Sequence, residues 1–290
     1  MRRTFAVLLA ASAALSACHR QKTMPRNEAD AAHLDAMSHA HAAETPAPNA
    51  SVAEPRRPVT AAEVVYGTVD GRQVRGYLAR PADAAPGAAL PGIVVIHEWW
   101  GLNDNVRMMT RRLAGEGYSA LAVDLYGSAA ATPEQARGLM GGVMANPAAA
   151  VSNLGEALKY LRAQGAPKIG TVGWCFGGGW SLETALHYPG QVQATVMYYG
   201  RPVTDRARLA VLRAPVLGLF GEQDQGIPVD TVRAMEAAMH ALDKDVELVV
   251  YPGAGHAFAN PSGQAYRPIS AADAWRRTVF FFNQQLKGHQ

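Results

Sequence analysis

Cysteine is scarce in this chain. Of 290 residues only two, Cys18 and Cys175, are cysteines, so a disulfide framework is excluded, and no internal bridge at all is possible once one of them is used otherwise. One-sided charge is also missing. The 27 Lys and Arg stand against 24 Asp and Glu for a net charge of +3, which falls to +1 if Arg2 and Arg3 are removed. Nucleic-acid affinity rests on clustered cations that neutralise phosphates, so neither a general polyanion binder nor a nucleic-acid partner is expected. After residue 18 no stretch reaches 18 consecutive apolar residues, so no membrane-crossing helix is expected there. What is plentiful is core material, with 49% hydrophobic residues and 28 Gly, and this is the composition of a globular domain with extra segments.

Residues 1–18 have the form of an export signal, in which Met1-Arg2-Arg3 is a positive start and Phe5 to Leu15 an apolar run too short to span a bilayer. Its end, Leu15-Ser16-Ala17-Cys18, resembles the lipobox of bacterial lipoproteins, whose Cys becomes the acylated N-terminus; an ordinary cleaved signal with Cys18 incidental is the alternative. The expected location is therefore the cell envelope, on the periplasmic face, with the membrane as a partner through lipid on Cys18. Residues 19–60 are rich in Ala, Pro, Glu and His and lack sustained apolar periodicity, which predicts a flexible tether reaching on the order of 35 Å. Four of the nine histidines, His19, His33, His39 and His41, lie in it. In a flexible chain they would bind a metal weakly, for want of fixed surroundings, and no metal site is expected.

From residue 61 to 290 short β-branched runs alternate with amphipathic segments, the pattern of an α/β domain with a mostly parallel central sheet and helices on both faces. A hairpin is expected around Asp70-Gly71. Strands are expected at 93–96, 119–123, 169–173, 194–199, 216–220 and 246–251. Helices are expected at 104–113, after Thr132-Pro133-Glu134-Gln135, from Asn146-Pro147 to about Gln164, from about Gly178, at 229–242, and from about Ala271.

The strand at 169–173 carries the chemistry: it runs into Gly173-Trp174-Cys175-Phe176-Gly177 and then a helix, a nucleophile elbow with Cys where Ser is usual. The flanking glycines suit a turn too tight for side chains, and a helix N-terminus behind the sulfur favours thiolate. A phosphate cradle fits less well, because no Lys-Ser/Thr pair follows; a merely buried Cys remains the other reading. Later strand ends supply partners. Asp224 follows the strand at 216–220 and His256 follows that at 246–251, in the chain order nucleophile, acid, base that an α/β-hydrolase requires.

His97-Glu98-Trp99-Trp100-Gly101-Leu102, Asp124-Leu125-Tyr126-Gly127, Gly173-Trp174-Cys175-Phe176-Gly177-Gly178 and Gly255-His256-Ala257-Phe258 together resemble the dienelactone hydrolase (carboxymethylenebutenolidase) family over residues 62–287. The resemblance implies an α/β-hydrolase fold and a Cys175-His256-Asp224 hydrolase of small esters or enol lactones, working through a thioester acyl-enzyme and needing no cofactor. It further implies that Glu98 assists thiol deprotonation and that the Trp99 and Phe176 amides form an oxyanion hole. Trp100, Tyr126 and Phe258 would line the substrate cleft, whereas His97 and Asp124 read as strand-end hydrogen-bonding residues. The family holds a substrate carboxylate with an Arg where this chain has Asn260, and Arg137 is a possible counterpart of a second such Arg, so uncharged substrates are expected to serve at least as well. A monomer is expected. A non-catalytic envelope protein using the pocket for binding, and acyl transfer to an acceptor other than water, are the competing readings.

Cys18→Ser should move the protein from the membrane fraction to the soluble fraction, read by fractionation and by metabolic labelling with a fatty-acid analogue; a wild-type protein that takes up no label overturns the lipobox reading.

Overall fold

The computed structural model describes residues 26–42, 54–85 and 87–288, so the export segment and Cys18 lie outside the described residues. The sheet grows from runs whose alternate residues point to opposite faces. In β3 (Gly92–Ile96) and β4 (Ser119–Val123) every residue is buried, Ile93, Val95, Ala120 and Ala122 toward one side and Val94, Ile96, Leu121 and Val123 toward the other. Eight strands form one sheet in the order β1-β2-β4-β3-β5-β6-β7-β8. β1 (Val59–Val69) and β2 (Arg72–Pro81) form the hairpin, turning at Asp70 and Gly71, both at positive φ. β2 is antiparallel to β4, and from there β3, β5 (Ile169–Trp174), β6 (Ala194–Tyr198), β7 (Val216–Gly221) and β8 (Val246–Tyr251) run parallel.

Parallel strands need crossovers, and the crossovers cover both faces. On one face α2 (Asp104–Gly115) buries Val106, Met109 and Leu113, and α8 (Pro268–Phe282) buries Ala274, Phe281 and Phe282. On the other α4 (Pro147–Ala163), α5 (Phe176–His187) and α7 (Val229–His240) contribute Leu154, Leu158, Leu182, Val232 and Met239. α3 (Pro133–Ala145) starts as its capping residues predict, with Thr132 Oγ1 accepting from the Gln135 amide at 3.3 Å; the Gln135 side chain accepts from Ala131 rather than from Thr132 itself. A short helix, α6 (Arg206–Leu209), capped by Asp205, has no counterpart in the periodicity analysis.

The larger departure is N-terminal. Residues 26–40, expected within a tether, form α1 (Arg26–Ala40), which packs on α3 and on the loops at the C-terminal edge of the sheet. Ala at five of its fifteen positions favours a helix, while its inward stripe, Asp30, His33, Leu34, Met37 and His41, is spaced by three and four residues but is mostly polar. A hydropathy pattern does not register such a stripe. Only residues 19–25 then separate Cys18 from α1, at most about 25 Å of extended chain.

The centre of the fold is set by backbone approaching backbone. A Cβ on Gly173 would lie 2.1 Å from the Gly177 carbonyl oxygen, and one on Gly177 would lie 2.3 Å from that of Ile96. Gly173→Ala should therefore destabilise the domain by more than about 4 kcal/mol or prevent folding, whereas Gly138→Ala, in open space on α3, should gain up to about 1 kcal/mol. Urea unfolding of the two variants beside wild type measures both; equal midpoints for Gly173→Ala and wild type would contradict the packing described.

Candidate active site

Strand β5 ends and α5 begins within one residue, and that residue is Cys175. Its backbone sits at φ 54° and ψ −119°, a conformation that a residue with a Cβ adopts only under constraint. The constraint is visible in the neighbouring bonds: the Cys175 amide donates to the Tyr198 carbonyl at 3.0 Å, and its own carbonyl accepts from Gly178 at 3.0 Å. Phe176 opens α5, so its amide has no carbonyl in a preceding helical turn and is available to a developing oxyanion.

The loop after β7 places Asp224, whose side chain is fully buried. Its Oδ1 accepts from the Gly226 and Ile227 amides, each at 2.9 Å, and its Oδ2 lies 2.7 Å from His256 Nδ1. The loop after β8 supplies His256, which packs edge-on against Tyr199. His256 Nε2 is buried without a hydrogen-bond partner of normal geometry, within 4.8 Å of Cys175 Sγ. Burial alone would push the Cys175 thiol up, but the positive charge of His256, assisted by His41, outweighs it and holds the thiol down at about 6. Burial likewise opposes charging His256, and the negative charge of Cys175 with the bond to Asp224 raises it well above the usual imidazole value. The arrangement favours a thiolate beside an imidazolium.

Glu98, expected to assist the thiol, is buried on the loop after β3. Its Oε1 accepts from Asn105 Nδ2 at 3.1 Å and from Asn260 Nδ2 at 2.9 Å. Asn260 is thus a partner of Glu98 at the base of the site, where cleft lining was expected, because its amide is the neutral donor that a buried carboxylate needs. Arg137 also has another role than the expected one. Half exposed on α3, it binds Asp35 at 2.6 Å and the Ser38 hydroxyl, both on α1. Phe258 is fully buried between Tyr199 and Tyr251, a core position where a cleft wall was expected. Tyr126 packs against His97 and Phe176, while Trp99 and Trp100 both face His41. His97 accepts from Leu125 N through Nε2 and meets the Glu98 carbonyl through Nδ1, and Asp124 accepts from the Tyr126 and Gly127 amides, which fits strand-end roles for both.

The sequence reading missed what covers the thiol. Cys175 is only 2% exposed, because α1 inserts Met37 against it, Sδ to Sγ 3.6 Å, and brings His41 Nε2 to 3.9 Å from the same sulfur. The His41 ring stacks on Trp99 with centroids 5.2 Å apart and meets His256 edge-on at 5.6 Å. Arg201 binds Asp30 of α1, and burial together with the Arg201 charge lowers His33 to about 4. Beside this contact lies a cavity of about 390 Å³ bounded by His33, Met144, Phe176, Trp180 and Arg201. The signal in the sequence was the spacing of residues 30, 33, 37 and 41.

The strand order, the helices on both faces and a strained residue between strand and helix define an α/β-hydrolase. Residues 74–286 match the dienelactone hydrolase family, and the chain belongs to it. It is accordingly a hydrolase acting on ester bonds. A Methylorubrum extorquens protein named "Putative carboxymethylenebutenolidase" is 35% identical over 91% of this chain and 94% of its own. Since residues 54–290 are 237 of the 290, that match extends into the segment carrying α1. The "Protein usf" of Aquifex pyrophilus is 34% identical over 75% of this chain and 96% of its own. Among solved structures, a "Putative Dienelactone Hydrolase" from Klebsiella pneumoniae superposes with a TM-score of 0.71 at 32% identity, over 79% of this chain and all of that one.

Proposed function

We propose that this hydrolase cleaves small esters or enol lactones with Cys175 as nucleophile, His256 as base and acid, and Asp224 holding His256. The observation that carries the reading is a thiolate-favouring Cys175 at a strained turn, facing an imidazole whose other nitrogen is fixed by a buried carboxylate. Cys175 Sγ attacks the carbonyl carbon while the oxyanion takes hydrogen bonds from the Phe176 and Trp99 amides. As the C–O bond to the leaving group breaks, His256 gives that oxygen its proton and a thioester remains. A water molecule, losing a proton to His256, attacks the thioester, releasing the carboxylic acid and restoring the Cys175 and His256 pair. Glu98 is the reserve carboxylate of this scheme, positioned by Asn105 and Asn260.

Two cations bear on the substrate's charge, and α1 engages both: Arg137 through Asp35 and Arg201 through Asp30. With Asn260 turned to Glu98, this supports a preference for uncharged substrates. For location we infer export and lipid attachment through Cys18, supported by the residues around it in the sequence.

Cys175→Ala should lower kcat/KM on chromogenic esters and lactones at least about a thousandfold while keeping the urea midpoint; retention of more than a tenth of the activity would make another residue the nucleophile. For a substrate pair differing only in a free carboxylate against its methyl amide, kcat/KM should be equal or favour the amide. A preference for the carboxylate above about tenfold would mean that Arg137 or Arg201 is released to the substrate.

A further inference from the structure

The histidine-bearing N-terminal segment makes and breaks no bond in the hydrolytic scheme, yet it delivers two donor atoms to the catalytic sulfur. Met37 Sδ lies 3.6 Å and His41 Nε2 3.9 Å from Cys175 Sγ. The ligand atoms of His41, Cys175 and His256 all fall within 4.8 Å of one another. A tetrahedral ion with bonds of about 2.3 Å to sulfur and 2.0–2.1 Å to nitrogen sets neighbouring sulfur and nitrogen ligands about 3.6 Å apart and two sulfurs about 3.8 Å apart. Met37 and His41 stand at about these separations from the sulfur, and a His256 nitrogen lies within 4.8 Å of both the sulfur and a His41 nitrogen. Met37 is fully buried and His41 nearly so, which makes them fixed groups, unlike surface side chains that could gather round an ion by chance. The surroundings also match a metal centre: His256 Nδ1 is held by the Asp224 carboxylate, leaving Nε2 directed inward, and the His41 ring is fixed on Trp99.

We propose that Met37, His41, Cys175 and His256 form a binding site for a soft monovalent ion, Cu(I), assembled only when α1 is docked. The donor set is the argument for the ion. A thiolate, a thioether and two imidazoles suit Cu(I), and the two carboxylates of the site are engaged elsewhere, Asp224 with His256 and two amides and Glu98 with Asn105 and Asn260, so the four donors themselves include no oxygen for a hard cation. Binding is ligand addition without electron transfer: copper gains two sulfur and two nitrogen bonds, and any proton on the thiol leaves to solvent. The same bonds occupy the sulfur and the Nε2 lone pair used in ester cleavage, so copper both fastens α1 and arrests turnover. The inference rests on the hydrolase reading for that last consequence only, and copper binding is measured without turnover, so either can fail alone.

The test uses the full chain with Cys18→Ser, which leaves Cys175 as its only thiol, reduced and free of oxygen. In competition with a coloured Cu(I) chelator it should withdraw one copper per chain, and copper X-ray absorption should show two sulfur and two nitrogen neighbours. Met37→Leu and His41→Gln should each weaken binding at least about tenfold, and Cys175→Ser by more, whereas His39→Gln, exposed on the same helix, should leave it unchanged. Circular dichroism of each variant without copper establishes that it is folded. If His41→Gln does not fold, the absorption spectrum of the parent decides, and a coordination shell of nitrogen and oxygen alone overturns the site. Failure to compete with the chelator, equal loss in His39→Gln and His41→Gln, or binding of Zn(II) in preference to Cu(I) also overturns it.

Discussion

Everything in the site depends on how closely two backbone segments approach at the end of β5. Because Gly173 and Gly177 have no side chains, the start of α5 can press against the strand end and against the β3 carbonyls, and Cys175 is left in a conformation it would not choose. Such a conformation costs of order 1–3 kcal/mol and persists because its surroundings over-determine it. The return is position: the sulfur stands where loops from β3, β7 and β8 converge. Asp224 and His256 reach it only because their strands, β7 and β8, continue the parallel register of β5 and β6 across the sheet, and so the parallel sheet is what converts a separation of 81 residues along the chain into contact.

Most of this was legible in the sequence for a physical reason. Strands buried on both faces must be continuous apolar runs, tight turns must carry glycine, and the capping of a helix such as α3 is written in a few adjacent residues. The hairpin, the central strands and the order of Cys175, Asp224 and His256 follow from such local rules. Side-chain destinations do not. Its distance along the chain from His256 puts Asn260 over the substrate, yet its amide is drawn to Glu98, because a buried carboxylate without donors would be far more costly than a missing contact with substrate. The resemblance places Phe258 in the cleft wall, but this aromatic residue two positions beyond His256 points into the core between Tyr199 and Tyr251.

α1 escaped for the opposite reason. Sequence reading looks for apolar stripes, and here the stripe is made of Asp30, His33, Met37 and His41, residues that pack by pairing and stacking more than by hydrophobicity. Its partners Arg137 and Arg201 are distant in sequence, so neither end of the interaction announces the other. The consequence is that the thiol is covered by its own chain, and entry of a substrate requires α1 to shift or the cavity beside Phe176 and Trp180 to open inward.

The seat of α1 is uneven along its length. Along its first ten residues it is held by Asp30 on Arg201 and Asp35 on Arg137, pairs whose side chains remain between 26% and 60% exposed; beyond them Met37 and His41 are buried. Dissolved ions act on the two ends differently. The distance over which exposed charges sense one another shrinks from about 10 Å at 0.1 M salt to about 3 Å at 1 M, while buried packing is strengthened, if anything, by excluded salts. Rising ionic strength therefore loosens the helix from its first turns and leaves its last turn in place, so that the cover peels open from one side like a hinged flap, with the hinge nearest the sulfur.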